Sequence, residues 1–304
     1  MRKAFRTPVL GATLVALALI AAACNGSGED GNGDGEPRGQ ITVGAVAFAE
    51  NQILGEMYAQ ALEDAGYEVS RQLSLDSREI LQPAMENGEV DVAPEYLASL
   101  AAFLGGDTST DPDEQTEILE PLLEEREQTV LDYSEAIDTN AFVVAGDTAQ
   151  ELGLSAVSDL QGDAGDMTLG GPPECPERDF CIPGLRDVYG VEFGSFVPLD
   201  VGGPLTVEAL ANGEIDVGLL FSTDGAIEAN GFVLLEDDMN LQQADNIAPV
   251  VRSEALNEEI RDILNSISEA LTTEKMTSLN AQVTVEGGDP ADAARGFLED
   301  EGLI

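Results

Sequence analysis

From Ile41 to Val46 the chain is a short, mainly apolar run, and from Asn51 to Ala65 apolar residues recur three and four positions apart until Gly66 interrupts them. The first pattern predicts a buried strand and the second an amphipathic helix stopped by a glycine. Tyr67 to Leu75 alternates apolar and polar residues, the two-residue period of a strand. Asp76-Ser77-Arg78-Glu79 then has the spacing of a capping box, with Asp76 as the cap and Glu79 three positions on. Strand, helix, strand, helix in this order predicts a parallel sheet covered on both faces.

An internal echo extends the pattern. Met85-Glu86-Asn87-Gly88-Glu89-Val90-Asp91-Val92 recurs as Leu210-Ala211-Asn212-Gly213-Glu214-Ile215-Asp216-Val217, with Asn87 and Asn212 separated by 125 positions. Each copy predicts a helix ending at Asn-Gly, where glycine takes the left-handed cap, followed by a short buried strand. Each strand runs into polar residues, Pro94-Glu95-Tyr96 in one copy and Phe221-Ser222-Thr223-Asp224 in the other. Carboxyl ends of parallel strands are where open α/β sheets hold ligands, so two equivalent ends imply two similar lobes facing one cleft.

Between the copies, Asp113 to Asp132 reads as a long acidic helix, and Asn140 to Val144 as a strand crossing to the second lobe. Asp245 to Val251 reads as the return crossing, followed by helices from Asn257 to Leu271 and from Pro290 to Leu303. The strand Met167-Thr168-Leu169 places the turn Gly170 to Glu174 at the cleft, with Glu174 as a carboxylate for a cationic ligand. Gly202-Gly203-Pro204-Leu205-Thr206 opens a helix whose N-terminus offers backbone donors to an anionic group.

Charge narrows the chemistry. The 304 residues hold 13 Lys and Arg against 59 Asp and Glu, with no His, for a net charge of −46. Without His, imidazole-based nucleophilic catalysis, imidazole metal sites and His pH switches are excluded. A surface this acidic has no basic stripe for phosphates, so no nucleic-acid partner is expected. A salt-adapted surface accounts for the acidity without any ligand, and a cation-attracting cleft is compatible with it.

The first residues are basic (Arg2, Lys3, Arg6), an apolar run from Val9 to Ala22 follows, and Ala21-Ala22-Ala23 precede Cys24. This is the pattern of an export signal, and the run is shorter than the roughly 20 residues a membrane-crossing helix needs. Cys24 after small residues resembles the lipobox of bacterial lipoproteins, with Ala21 where Leu is more common. That resemblance implies a lipid-carrying Cys24 and a signal over 1–23. Residues 24–40, Gly- and acid-rich, form an expected flexible tether. In an exported chain Cys175 and Cys181 are expected to pair as a short-loop disulfide. Two thiolates are too few for zinc, and the spacing is not that of a C-x-x-C redox motif.

Several segments together resemble one family. Phe48-Ala49-Glu50-Asn51-Gln52-Ile53-Leu54-Gly55-Glu56-Met57, Ser77-Arg78-Glu79, Gly88-Glu89-Val90-Asp91 with Pro94-Glu95-Tyr96, and Gly213 to Val217 with Phe221 to Gly225 are similar to the extracellular substrate-binding proteins of osmoprotectant ABC importers. The family binds glycine betaine, carnitine, choline and related quaternary amines. The resemblance implies an α/β periplasmic-binding-protein fold of the second type, each lobe a mostly parallel sheet flanked by helices. Lobe 1 is expected over 40–139 and 247–304 and lobe 2 over 140–246. A trimethylammonium head has no hydrogen to donate and is best held by ring faces, and the family cages it in aromatic rings. Tyr96 sits in the Pro-Glu-Tyr motif as a cage residue, with Ser99 where Thr is usual. Asn140 and Val207 stand where members often carry further cage Tyr residues, and Asn51 where Gln is common.

Phe48, Asn51, Ser77, Arg78, Tyr96, Ser99, Asn140, Glu174, Thr206, Thr223 and Asp224 are the resulting ligand-binding candidates, with no metal and no cofactor. Plainer roles compete for some: packing for Tyr96, core for Phe48, a surface ion pair for Arg78, and a helix cap for Asp224. The expected function is a monomeric, lipid-anchored, non-enzymatic solute-binding protein that closes on a quaternary amine and delivers it to an ABC permease and its ATPase. The alternatives are the same role with another zwitterion, such as an amino acid or a thiol-betaine, or an extracellular hydrolase using paired carboxylates.

Overall fold

In the computed structural model, which describes residues 38–200 and 202–304, the predicted alternation of strands and helices is present. The chain begins β1 (Gln40–Val46), α1 (Ala49–Asp64), β2 (Glu68–Leu75), α2 (Arg78–Glu86) and β3 (Val92–Tyr96). It continues α3 (Leu97–Phe103), α4 (Pro112–Glu124) and β4 (Gln128–Val130). A second series follows: β5 (Asn140–Ala145), α5 (Gly146–Leu152), β6 (Thr168–Gly171), the single turn α6 (Ile182–Gly184) and β7 (Ser195–Pro198). Then come α7 (Pro204–Ala211), β8 (Val217–Phe221), α8 (Gly225–Ala229) and β9 (Phe232–Leu234). The chain returns as β10 (Ile247–Arg252) and ends in α9 (Glu258–Ala270), α10 (Thr273–Thr284) and α11 (Pro290–Asp300). The export signal, Cys24 and all but the last residues of the tether lie outside the described residues.

The strands form two five-stranded sheets, ordered β2-β1-β3-β10-β4 and β7-β6-β8-β5-β9. The two orders correspond strand for strand. Each is mixed: β10 runs antiparallel between β3 and β4, and β5 antiparallel between β8 and β9. The crossing strand thus enters each sheet against the direction of its neighbours. The crossing segments also meet each other through an Ile137–Asn246 bridge and the Asp138 amide donating to the Asp245 carbonyl at 3.1 Å.

Apolar clusters line both faces of each sheet. Ile53, Leu54, Met57, Ile260, Leu264 and Phe297 bring α1, α9 and α11 onto one face of the first sheet, and Leu81, Met85, Leu119 and Leu123 bring α2 and α4 onto the other. The second sheet is covered on one side by Leu160, Leu185 and Tyr189 and on the other by Leu210 and Ile227.

The repeated Asn-Gly motif has a structural purpose in both lobes. Gly88 (φ 73) and Gly213 (φ 68) take the left-handed conformation after α2 and α7. Asp91 then exchanges hydrogen bonds with Thr42 of β1: its amide donates to the Thr42 carbonyl at 2.8 Å and its carboxylate accepts from the Thr42 amide at 2.9 Å. Asp216 does the same with Thr168 of β6, at 3.0 and 2.7 Å. Asp91 additionally holds Arg252 of β10 at 2.7 Å. We predict that Asp216→Ala costs about 1–3 kcal/mol in a urea melt, through the lost partner of the Thr168 amide, and Asp91→Ala more, because Arg252 is also released. Equal melts for both variants and the parent would contradict this.

Three local expectations are corrected. The cap of α2 is Ser77, not Asp76, and Glu79 lies in the first turn, where the Ser77 hydroxyl helps hold its carboxyl below the ordinary value. The acidic helix after Asp113 ends at Glu124, because Glu127 turns left-handed (φ 57) and 128–130 pair with β10 as a strand. α10 was not anticipated; Thr272 caps it by accepting from the Lys275 amide.

Candidate ligand-binding site

The carboxyl ends of β1 and β8 face each other across a cleft of about 890 Å³, whose lining includes Phe48, Glu50, Asp138, Phe221, Thr223 and Asn280. Phe48 precedes α1, and its ring stacks on Tyr96 at the end of β3, with centroids 6.3 Å apart and planes inclined by 26°. Phe48 is 42% exposed and Tyr96 only 7%, so Tyr96 backs the ring that faces the opening. Phe221, at the end of β8, presents a second exposed ring from the opposite sheet.

Behind the rings lies a buried polar chain. The Tyr96 hydroxyl donates to Oε1 of Glu50 at 2.7 Å, and Nδ2 of Asn280 donates to Oε2 of Glu50 at 2.7 Å and to the Thr223 carbonyl at 2.8 Å. The Thr223 hydroxyl donates to Asp138 at 3.0 Å. Burial pushes the Glu50 carboxyl up despite these donors. Burial, reinforced by the nearby Glu50 charge, pushes Asp138 well up, and burial also raises Asp224. Among the described lining residues there is no Lys or Arg. Carboxylates held this way favour a positive charge entering the cleft.

The predicted site residues divide. Phe48, Thr223 and Asp224 line the cleft, and Asp224 also caps α8 by accepting from the Ala226 amide. Val207 lines it too. Asn51 braces the loop behind Phe48, accepting from the Val46 amide and donating to the Pro94 carbonyl. Ser77 caps α2, and Arg78 binds Glu95 through Nε and Nη2 at 2.9 and 2.8 Å. Ser99 holds Asp245 with its amide and hydroxyl, both at 2.7 Å. Asn140 lines a separate cavity of about 490 Å³ and donates to Gln242 at 3.4 Å. Glu174 is half exposed beside Arg178, on the turn that the Cys175–Cys181 disulfide closes.

The start of α7 departs from expectation. Asp200 accepts from the Gly203, Leu205 and Thr206 amides at 3.2, 2.9 and 3.0 Å, and from the Thr206 hydroxyl at 2.7 Å. Burial pushes Asp200 up, and these donors outweigh it, holding the carboxyl below its ordinary value. Thr206 is fully buried, and the amides expected to meet an anion are already occupied. Glu50, Asp138, Asn280 and Phe221 were not among the candidates. Glu50 and Phe221 stood inside the motifs quoted above, but Asn280 lies on the unanticipated α10 and carried no local signal.

Residues 39–300 match the model of the substrate-binding domain of ABC-type glycine betaine transport systems. The chain belongs to that family. A relative in Listeria monocytogenes, the carnitine transport binding protein OpuCC, is 30% identical over 272 residues, 87% of this chain and 88% of that protein. Among solved structures, one described as a glycine betaine/carnitine/choline ABC transporter has a TM-score of 0.77 at 27% identity, covering 87% of this chain and 98% of its own. Apo YehZ from Escherichia coli has a TM-score of 0.80 at 26% identity, covering 89% and 100%. The family is one of transport binding proteins, not of enzymes, and its members work outside the cytoplasmic membrane with an ABC permease. No helix of the described residues is long and apolar enough to cross a membrane. The family expected from the sequence motifs is therefore the family found, and its fold is the two-lobed binding-protein fold.

Proposed function

We propose that this protein, anchored through a lipid on Cys24 after export, captures a quaternary-amine osmoprotectant between its lobes and presents it to an ABC permease. The carrying observation is the cleft itself: exposed rings from both sheets, Phe48 and Phe221, stand beside the buried Glu50 and the half-buried Asp138 and Asp224, with no base among the described lining residues. A quaternary ammonium offers charge without hydrogen-bond donors, and ring faces with nearby carboxylates are what hold such a group. Phe48, Tyr96, Glu50, Asp138 and Thr223 are the residues assigned to it. Closure brings the two sheets' rings together by hinge motion about the crossing segments at 137–139 and 243–246. The role needs no catalytic step.

Calorimetric titration of the purified protein in a saline buffer tests this, using glycine betaine, choline, carnitine, ergothioneine, proline and polar amino acids. Saturable binding of at least one quaternary amine, with proline and the amino acids silent, is the expected result. Tight binding of an amino acid alone would move the ligand class, and silence across the whole panel from a folded protein would remove the assignment.

A further inference from the structure

Helix α10 packs with the first sheet, yet it also seats the second sheet's contribution to the cleft. Met276 and Leu279 lie in the cluster that α1 and α9 share with the first sheet. Thr277, Asn280 and Ala281 fall on one face of the helix, and that face meets the start of α8. The Thr277 hydroxyl donates to the Ser222 carbonyl at 3.3 Å, Nδ2 of Asn280 donates to the Thr223 carbonyl at 2.8 Å, and a Cβ on Gly225 would collide with the Ala281 backbone.

One side chain on that face joins the two halves of the site. Asn280 is 5% exposed, and its Nδ2 spends one hydrogen on Oε2 of Glu50, at the start of α1, and the other on the Thr223 carbonyl, just after β8. The reverse orientation of the amide would set its oxygen against a carboxylate and a carbonyl, both acceptors. Its two partners therefore fix the orientation, even though Oδ1 then has no partner among the described residues. Both partners continue into the cleft: Glu50 also accepts from the Tyr96 hydroxyl, and the Thr223 hydroxyl donates to Asp138.

We propose that Asn280 is a positioning residue of the ligand site, holding the Glu50 carboxylate of the first sheet and Thr223 of the second in one fixed relation, so that the counter-charge for a bound cation is oriented from α10. This rests on the quaternary-amine reading above. Asn280 acts through Glu50, and the charge of Glu50 is where its role is read. Burial raises that carboxyl, and the Thr223, Tyr96 and Asn280 side chains lower it. The titratable groups facing it are Tyr96 from β3 and Asp138 from the crossing segment, with Asp224 and Asp245 beside Asp138, and none is a base. Removing the Asn280 donor lets the Glu50 value rise further, so protons compete with a bound cation up to a higher pH.

The test is titration with choline, glycine betaine and carnitine across a pH series, on the purified parent protein and on Asn280→Leu, which keeps the side chain's bulk and removes both donors. For each amine that the parent binds, Asn280→Leu should bind about tenfold more weakly at neutral pH, and its curve of affinity against pH should lie about one unit higher. Thr277→Val loosens the same face of α10 without touching Glu50, so its curve should stay where the parent's lies. Circular dichroism melts check folding, and Asn280→Ala takes the place of a leucine variant that does not fold. A folded Asn280 variant with the parent's affinity and curve overturns the inference. So does weaker binding on an unmoved curve, since Asn280 would then only pack, and so does an equal shift in Thr277→Val. Silence of the parent toward all three amines fails the quaternary-amine reading itself and takes this inference with it.

Discussion

Tyr96→Ala should remove most of the ligand affinity, by tenfold or more, and lower stability by about 3–5 kcal/mol. Tyr96 is 7% exposed and packs into the cluster that joins β3 to α1 and the C-terminal helices. Truncating it leaves a cavity where a large ring was, removes the surface on which Phe48 stacks, and strips a donor from the buried Glu50. Three losses meet at one residue, so packing and binding fall together. Tyr96→Phe separates them. The ring and its stack on Phe48 remain while the hydroxyl is lost, so stability should fall by only about 1–3 kcal/mol and most ring-dependent affinity should survive. Urea melts and titrations of both variants with the same quaternary amine give the comparison. If a folded Tyr96→Ala protein binds as the parent does, Tyr96 has no part in the site and only its packing role stands.

Much of the architecture was legible in the sequence because its signals are local. The Asn-Gly stops of α2 and α7 announce themselves, since a left-handed residue after a helix selects glycine, and the strands that follow are short apolar runs. What escaped is what tertiary structure decides. Residues 128–130 continue an acidic, helix-favouring stretch, and they become a strand only because β10 offers an unpaired edge. α10 has apolar positions too weakly patterned to stand out, yet it packs Gly225 of α8 so closely that a Cβ there would collide with the Ala281 backbone.

The site divides along the same line. Phe48 and Tyr96 are conspicuous as rings inside recognisable motifs. Asp138 is one acid among 59 and carries no local signal, and what sets it and Glu50 apart is that they share one hydrogen-bonded chain in the cleft, through Tyr96, Asn280 and Thr223. Thr206 shows the opposite failure: a helix start rich in glycine reads as an anion site until Asp200, a few residues earlier, is seen to fill it. A free helix N-terminus and one already capped by a preceding carboxylate differ by the path of a loop, which periodicity does not describe.

Cation affinity should rise with pH, by up to about tenfold per pH unit for each proton the ligand displaces. In the unliganded protein the Glu50, Asp138 and Asp224 carboxyls are all raised, chiefly by burial. The groups facing them are Tyr96, Asn280, Thr223 and, beside Asp138, the further acid Asp245, none of which carries a compensating positive charge. A bound cation favours the ionised form, so below the raised values protons compete with it and affinity falls. The stability of the unliganded protein moves the other way. Its folded state keeps protons that the unfolded chain releases near the ordinary carboxylate value of about 4, so stability contributed by these groups declines as pH rises from there through the raised values. The ligand-induced rise in Tm should therefore grow with pH over that window. The general repulsion of so acidic a surface also strengthens with pH, but it is screened in a concentrated saline buffer, whereas the buried groups are screened much less. Asp138→Asn should flatten the pH dependence of binding in that buffer. An affinity independent of pH in the parent protein would mean that the ligand's positive charge does not lie against these carboxylates, and the cation would then have to be held by the rings of Phe48 and Phe221 alone.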